Sequence, residues 1–352
     1  MASTTNITDE RSSYQAVFAL DIITAAGALT LLGLASKPTF QRLKERRFSS
    51  ASKSRGTPLK TTLGTHLFLW PALFCLFIAY TTRFVADLLQ THGFIAYDAD
   101  LSWNGRPSYR ISDNQWGTSV SALTFATTFA TIVFTVLLNG GVWIHSSHVQ
   151  SNGTGMSAPN MVSKIWNAFI MFVMLATGMA AWGKGMSVRD TSLGSLSSLS
   201  RLSWSNVLNH DHTTRILYIV HECIVIAASL SVTFEVLREY IKTNKNAPTV
   251  CHCVQSLYAS MLTMIQTSER SDLARFAFVV VPLIWLRDAF IIYDIILIYI
   301  DTSGWSNTAT LATTFLLIIF GQFANLTILA TILWGAWRMG KSVTLFDSGS
   351  SA

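Results

Sequence analysis

The chain has 352 residues, 50% of them hydrophobic and only 12% charged, with a net charge of +6 and a pI near 9.2. A soluble domain carries about 25% charged residues, so this composition excludes an ordinary water-soluble globule. The positive balance does not call for nucleic acid, because its placement along the chain has a membrane explanation.

Apolar runs of about 20 residues mark transmembrane helices. Seven are present, at roughly 14–35, 63–89, 117–144, 161–183, 214–237, 274–300 and 308–337. The expected fold is therefore all-α: a single polytopic membrane bundle of seven helices over 1–352. The fourth run is short and rich in Gly and Met, which blurs its ends. Residues 1–11 are polar and lack a basic n-region, so the first span is expected to act as an uncleaved anchor.

Lys and Arg counts orient the bundle. The first connection holds Lys37, Arg42, Lys44, Arg46, Arg47, Lys53, Arg55 and Lys60 against Glu45 alone. Arg238, Lys242, Lys245, Arg270, Arg338 and Lys341 fall on the same side. The other side has only Arg11, Arg106, Arg110, Lys184, Arg189 and Arg201. The amino terminus is expected to be lumenal or extracellular and the carboxyl terminus cytosolic. Cys75 and Cys223 lie in spans, and Cys251 and Cys253 on the cytosolic side, so no structural disulfide is expected.

In chain order, Asn6-Ile7-Thr8 is a glycosylation sequon in the expected lumenal tail, close to the membrane. Span 1 carries Asp21. The basic, Ser-rich connection after it suits anionic headgroups. Span 2 closes on Arg83 and Asp87, which share a helical face at i,i+4. The connection at 91–115, with Tyr97, Asp98, Asp100 and Trp103, suggests a folded cap or an interfacial aromatic belt. Span 3 ends in Trp143-Ile144-His145-Ser146-Ser147-His148. The two histidines have no third ligand nearby, and no metal or other cofactor is expected.

In the fourth connection, Leu193, Leu196, Leu199 and Leu202 recur every three residues. That pattern suits a short interfacial helix or a Ser-rich loop. Span 5 bears His221 and Glu222 about two turns below its start, and Glu235, Arg238 and Glu239 at the far end. In the fifth connection, Val250, Val254, Leu257, Tyr258, Met261 and Ile265 read as an amphipathic helix. Cys251 and Cys253 at its start are better placed for palmitoylation than for metal. Span 6 carries Arg287-Asp288 near its middle and Asp294 nearer its end. Span 7 carries Gln322 and Asn325, the amides reading as interhelical glue.

Depth makes the charges informative. A charge near mid-membrane costs at least about 2.5–3.5 kcal/mol on insertion scales and must face protein or water. At 1.5 Å per residue, Asp294 and Arg83 lie about 10 Å from the lumenal boundary and Arg287 about 20 Å. Asp21, Arg83, Asp87, Glu222, Arg287, Asp288 and Asp294 all fall in that half, and are expected to line one pocket opening toward the lumenal leaflet. Two ion pairs, Arg83 with Asp87 and Arg287 with an aspartate, leave carboxyls in excess. A carboxylic acid held in an apolar pocket is a general acid, a proton-coupling group or a cation site. Glu222, Asp288, Asp294 and Arg287 are the catalytic candidates. Asp21, Arg83, Asp87, Tyr293 and Trp285 are the substrate-binding candidates, the aromatic rings offering faces to a cation. For rings such as Trp70, Phe74, Phe77, Tyr80, Phe290 and Tyr299, membrane packing is the plainer reading.

The chain resembles the seven-span integral membrane proteins of fungal secondary-metabolite clusters of the paxilline (indole-diterpene) type. The similarity is carried by size, seven spans, the basic first connection, His221-Glu222-Cys223-Ile224-Val225-Ile226 and Trp285-Leu286-Arg287-Asp288. It implies a membrane-bound accessory or cyclase-like role in terpenoid biosynthesis, in the endoplasmic reticulum rather than the plasma membrane. It also implies an apolar small-molecule substrate and membrane enzymes of the same pathway as partners. The lipid bilayer is the other expected partner, and nucleic acid is not one. The alternatives are a seven-span receptor and a proton-coupled transporter. Against the receptor, no Asp-Arg-Tyr triplet ends span 3 and no Asn-Pro-x-x-Tyr lies in span 7. Against the transporter, no internal repeat is evident. A membrane prenyltransferase is disfavoured because no Asp-rich diphosphate motif is present.

Overall fold

The computed structural model describes the backbone at residues 5–49, 59–104, 112–153, 161–194, 207–208, 211–245, 274–299 and 307–349. Side chains are described over 15–44 (except 42), 64–89, 119–147, 161–189, 207–208, 211–241 (except 239), 274–297 and 312–337. All regular elements among these residues are helices: α1 (Thr5–Ser49), α2 (Leu59–Asn104), α3 (Ser112–Gly153), α4 (Met161–Gly194), α5 (His212–Lys245), α6 (Val281–Tyr299), α7 (Asn307–Leu316) and α8 (Phe323–Gly349). Two π-helical stretches complete the order. Phe276–Val280 leads into α6, and Leu317–Gln322 joins α7 to α8 as one span.

Seven helical segments are long and apolar enough to cross a membrane: Gln15–Gln41, Gly64–Leu89, Ser119–Ser147, Met161–Arg189, His212–Arg238, Phe276–Leu297 and Ala312–Trp337. They coincide with the runs expected from sequence, and they make this an all-helical, multi-pass type of chain. The fourth, blurred in sequence, is a continuous helix. The 91–115 connection differs from expectation: α2 runs on to Asn104, just ahead of Gly105 and Pro107, and α3 starts at Ser112. Helix-compatible residues continue past the apolar run, so the apolar boundary did not mark the helix end.

The inner face of each helix follows from its spacing. In α1 the buried positions are Val17, Asp21, Thr24, Ala28, Ala35 and Thr39, separated by three, four or seven residues. That repeat keeps one stripe turned inward, and Ile22, Ile23, Leu29 and Leu34 lie on the exposed face. In α2, Leu69, Ala72, Leu76, Ala79 and Ala86 do the same. Lipid is as apolar as leucine, so small residues that allow close approach, rather than hydrophobic burial, hold such helices together. α2 packs on α3 and α1, α4 on α5 and α3, and α8 on α2, α6 and α1.

Two glycines set the tightest approaches. A Cβ at Gly140 would stand 2.5 Å from Met171 Cε and 2.8 Å from Phe68 Cε1, so α2 and α4 both press on α3 there. A Cβ at Gly178 would stand 2.6 Å from Ile132 Cγ2 and 2.9 Å from the His221 ring, which itself meets the Met174 carbonyl through Nδ1 at 3.0 Å.

The start of α5 has a built cap. The Thr214 N–H donates to Asp211 Oδ2 at 2.9 Å, and the Thr214 hydroxyl donates to the same oxygen. The Arg215 Nε–H donates to the Leu208 carbonyl at 2.8 Å. These Thr214 bonds hold the Asp211 carboxyl below its ordinary range. At the other end, Glu235 accepts from Ser163 and from Asn167 at 3.4 Å, which ties α5 to α4. Glu235, at the far end of the span, is thus held against a neighbouring helix, because α4 brings two donors opposite it.

The Leu196–Leu202 pattern, the amphipathic pattern at 250–265 and Cys251 and Cys253 lie outside the described residues. So do the side chains of Asn6, Tyr97, Asp98, Asp100, Trp103, His148, Leu193 and Tyr299. Cys75 and Cys223 are free thiols.

Two outcomes are expected. Gly140→Val and Gly178→Val should each lower stability by about 1–3 kcal/mol through overpacking, while Gly33→Ala, where nothing lies within 4 Å of the new Cβ, should not; melting in detergent reads both. Asp211→Ala should cost about 1 kcal/mol as a lost N-cap. Because the folded carboxyl titrates below the unfolded one, that contribution is full above about pH 4 and fades as pH falls through the lowered folded value, which melting across pH 2–7 checks.

Candidate functional site

Arg287 is 6% exposed and sits near the middle of α6. A guanidinium there must be met by neighbours. Its Nη2 donates to Ser229 Oγ of α5 at 2.7 Å and to Asp288 Oδ1 at 3.2 Å. Residues adjacent on a helix point apart, so the long arginine side chain curls back to reach Asp288. Ser229 in turn lies 3.4 Å from Asn139 Oδ1 of α3 and also faces Asp288. Asn139 is fixed by donating to the Thr135 carbonyl at 3.0 Å. Three helices thus clamp one edge of the guanidinium.

One to two turns further along α6 stands a second group. Glu222 and Asp294 project from α5 and α6 toward the same phenol: Tyr218 donates to Asp294 Oδ2 at 3.4 Å and faces Glu222 as well. Tyr218 and Glu222 are i,i+4 on α5, which stacks them on one face. The two carboxyls are close enough to repel, and Glu222 also feels the charges of Arg287 and Asp288.

The third group joins α1, α2 and the last span. Arg83 Nε lies 3.8 Å from Asp87 Oδ2 and 4.0 Å from Asp21 Oδ1, contacts of charge rather than hydrogen bonds. The Asp21 and Asp87 carboxyls face each other. Thr24 donates to Gln322 Oε1 at 2.7 Å, and Gln322 Nε2 donates to Asp21 Oδ1 at 3.5 Å. Tyr80 donates to the Gln322 carbonyl at 3.2 Å and stands beside Asn325. Gln322 ends the π-helical stretch, so its main chain and its side chain both serve this group. Arg83 also feels Asp294 across the bundle, which links the third group to the second.

The seven charged candidates therefore form one connected band rather than a ring around a single point. Exposure varies among its members: the side chains of Asp87 and Arg83 are 37% and 30% exposed, those of Arg287 and Asp288 7% and 8%, and that of Asp21 2%. Two aromatic candidates fall elsewhere. Trp285 is 54% exposed on the outer face of α6, two positions before Arg287 and so turned away from it. Tyr293 meets Thr313 of α7 at 3.3 Å instead of the carboxyls. Trp70 donates to Ser36 at 2.9 Å and stacks on Phe74, and so serves the α1–α2 contact. Phe290 stacks on Phe320 at 5.3 Å and meets Tyr293 edge-on.

Tyr218, Ser229, Asn139 and Thr24 were missed by sequence reasoning. Only Tyr218 had a readable signal, its i,i+4 spacing to Glu222. The expected Arg83–Asp87 pair is joined by Asp21, which only the α1–α2 packing brings in. Among the described residues, no group of three or more His, Cys, Asp or Glu side chains is placed to hold a metal ion.

Chemically, the band holds five carboxyls against two guanidiniums in a setting of low dielectric. Its charge balance calls for protons or a bound cation. Tyr218, between two carboxyls, supplies a hydroxyl able to relay a proton. Thr24→Val and Gln322→Leu should each cost about 0.6–1.7 kcal/mol. The double variant should cost less than their sum, since both remove one interhelical link; melting of the four proteins reads the coupling.

No protein-family model matches the chain, and neither a curated protein nor a solved structure matches it, so the geometry of these residues carries the functional argument.

Proposed function

We propose that the chain is a multi-pass membrane protein of terpenoid secondary metabolism, of the indole-diterpene type. In this reading the Glu222–Tyr218–Asp294 group is the acid that starts a cyclisation. The supporting observation is that two carboxyls from different helices face one phenol, while Arg287, whose charge reaches Glu222, is engaged by Asp288. The resemblance noted in the sequence supports the pathway, the endoplasmic reticulum and pathway enzymes as partners. The Lys and Arg asymmetry supports a lumenal amino terminus, in which case Asn6 is a glycosylation acceptor.

The proposed step is an isomerisation. A proton passes from the Glu222 or Asp294 carboxyl to an epoxide oxygen or alkene carbon of the substrate. The C–O bond breaks, or the alkene gives up its π pair, and a carbocation forms. An internal alkene closes the ring with its electron pair, and loss of a proton from carbon to the carboxylate restores the acid. A second reading, a proton-coupled transporter, is favoured by the π-helical stretches that interrupt spans six and seven.

Microsomes from a host expressing the chain, fed an epoxidised prenyl-indole, test the first reading. Turnover should need the protein and fall by at least about a hundredfold in Glu222→Gln/Asp288→Asn/Asp294→Asn, the usual worth of general acid catalysis. Equal turnover without the protein, or in the triple variant, sinks the cyclase. Proton-driven uptake of the same compound into proteoliposomes, with no product formed, selects the transporter.

A further inference from the structure

We infer that Arg287 and Asp288 anchor the hydroxyl group of a neutral, apolar molecule. The inference rests on the reading above that the bundle takes an apolar small molecule, and it names that molecule's chemical class.

Both side chains are more than nine-tenths buried. Nη2 of Arg287 is committed to Ser229 and Asp288. Its Nε and Nη1 have no hydrogen-bond partner among the described residues, nor has Asp288 Oδ2. A guanidinium has five N–H bonds, so three donors stand unmet on one side chain and one carboxylate oxygen on the next. Leaving such groups unpaired in a dry interior is costly.

The unmet set discriminates among ligands. A carboxylate or phosphate would satisfy the donors but add negative charge beside Asp288 and Glu222. An ammonium would satisfy Asp288 but face Arg287. A ketone or ether accepts from Arg287 and leaves Asp288 unmet, and a hydrocarbon meets neither. A hydroxyl accepts from Arg287 and donates to Asp288. Ser229 and Asn139 fix the guanidinium in advance, so little ordering is left for the ligand to impose.

The test uses the full chain in lipid nanodiscs, with empty nanodiscs as the blank. Tritiated farnesol is displaced by three probes that share one tail: farnesol, the hydrocarbon farnesene and farnesyl diphosphate. Farnesol should bind at least about tenfold more tightly than either of the others, the worth of one hydrogen bond to a charged group. In Arg287→Gln/Asp288→Asn, which removes both charges together and strands neither, the preference should shrink to within about twofold. Equal affinities on the wild-type chain would mean that water alone meets these groups, and would overturn the inference. Tighter binding of the diphosphate would also overturn it, as would a preference that survives the double variant. Should that variant not fold, the order of the three probes on the wild-type chain decides. A chain that prefers farnesol but turns nothing over in microsomes sinks the cyclase alone. One that turns over without this preference sinks the anchor alone.

Discussion

The hydrogen bond from Arg287 Nη2 to Ser229, with Asp288 closing on the same nitrogen, is the contact on which the interior depends. A guanidinium so deep in an apolar span is tolerated only when its charge is met by a partner. Holding it in place takes groups from α3, α5 and α6 at once, since Asn139 steadies the serine from a third helix. The electrostatic requirement thereby becomes a geometric one: three helices must arrive in one register.

Close approach is what lets that register be reached. Gly140 and Gly178 remove the side chains that would otherwise hold α3 and α4 away from Phe68, Met171, Ile132 and His221. The alanines at 28 and 35 of α1 and at 72, 79 and 86 of α2 are small residues buried in the same way. In lipid there is little hydrophobic gain from pairing helices, so dispersion contacts at small residues and a few polar links carry the association. Thr24–Gln322 and Glu235–Asn167 are such links, one at α1 with the last span and one at α4 with α5. The polar groups thus contribute to the assembly that encloses them.

The same groups suit a chemical use. Carboxyls outnumber guanidiniums along the band, and Asp87 and Arg83 are more exposed than Arg287 and Asp288. The acid chemistry proposed for Glu222 and Asp294, and the hydroxyl anchor proposed at Arg287, draw on adjacent parts of the band. The π-helical stretches include Phe276 and Gln322 in the last two spans, and Gln322 engages Asp21, Thr24 and Tyr80 together.

The sequence by itself determined the seven spans, because twenty apolar residues in a row have no stable place outside lipid or a core. It also determined the depth of each charge, since rise per residue in a helix is fixed. The Arg83–Asp87 pairing followed from spacing alone. Only the tertiary structure decided which helices meet. It brought Asp21 to Arg83, gave Glu222 and Asp294 the phenol of Tyr218, set Ser229 and Asn139 around Arg287, and turned Trp285 outward. Helix rotation and neighbour choice depend on how small residues and polar links from distant segments fit together, and no local window of the chain contains that information.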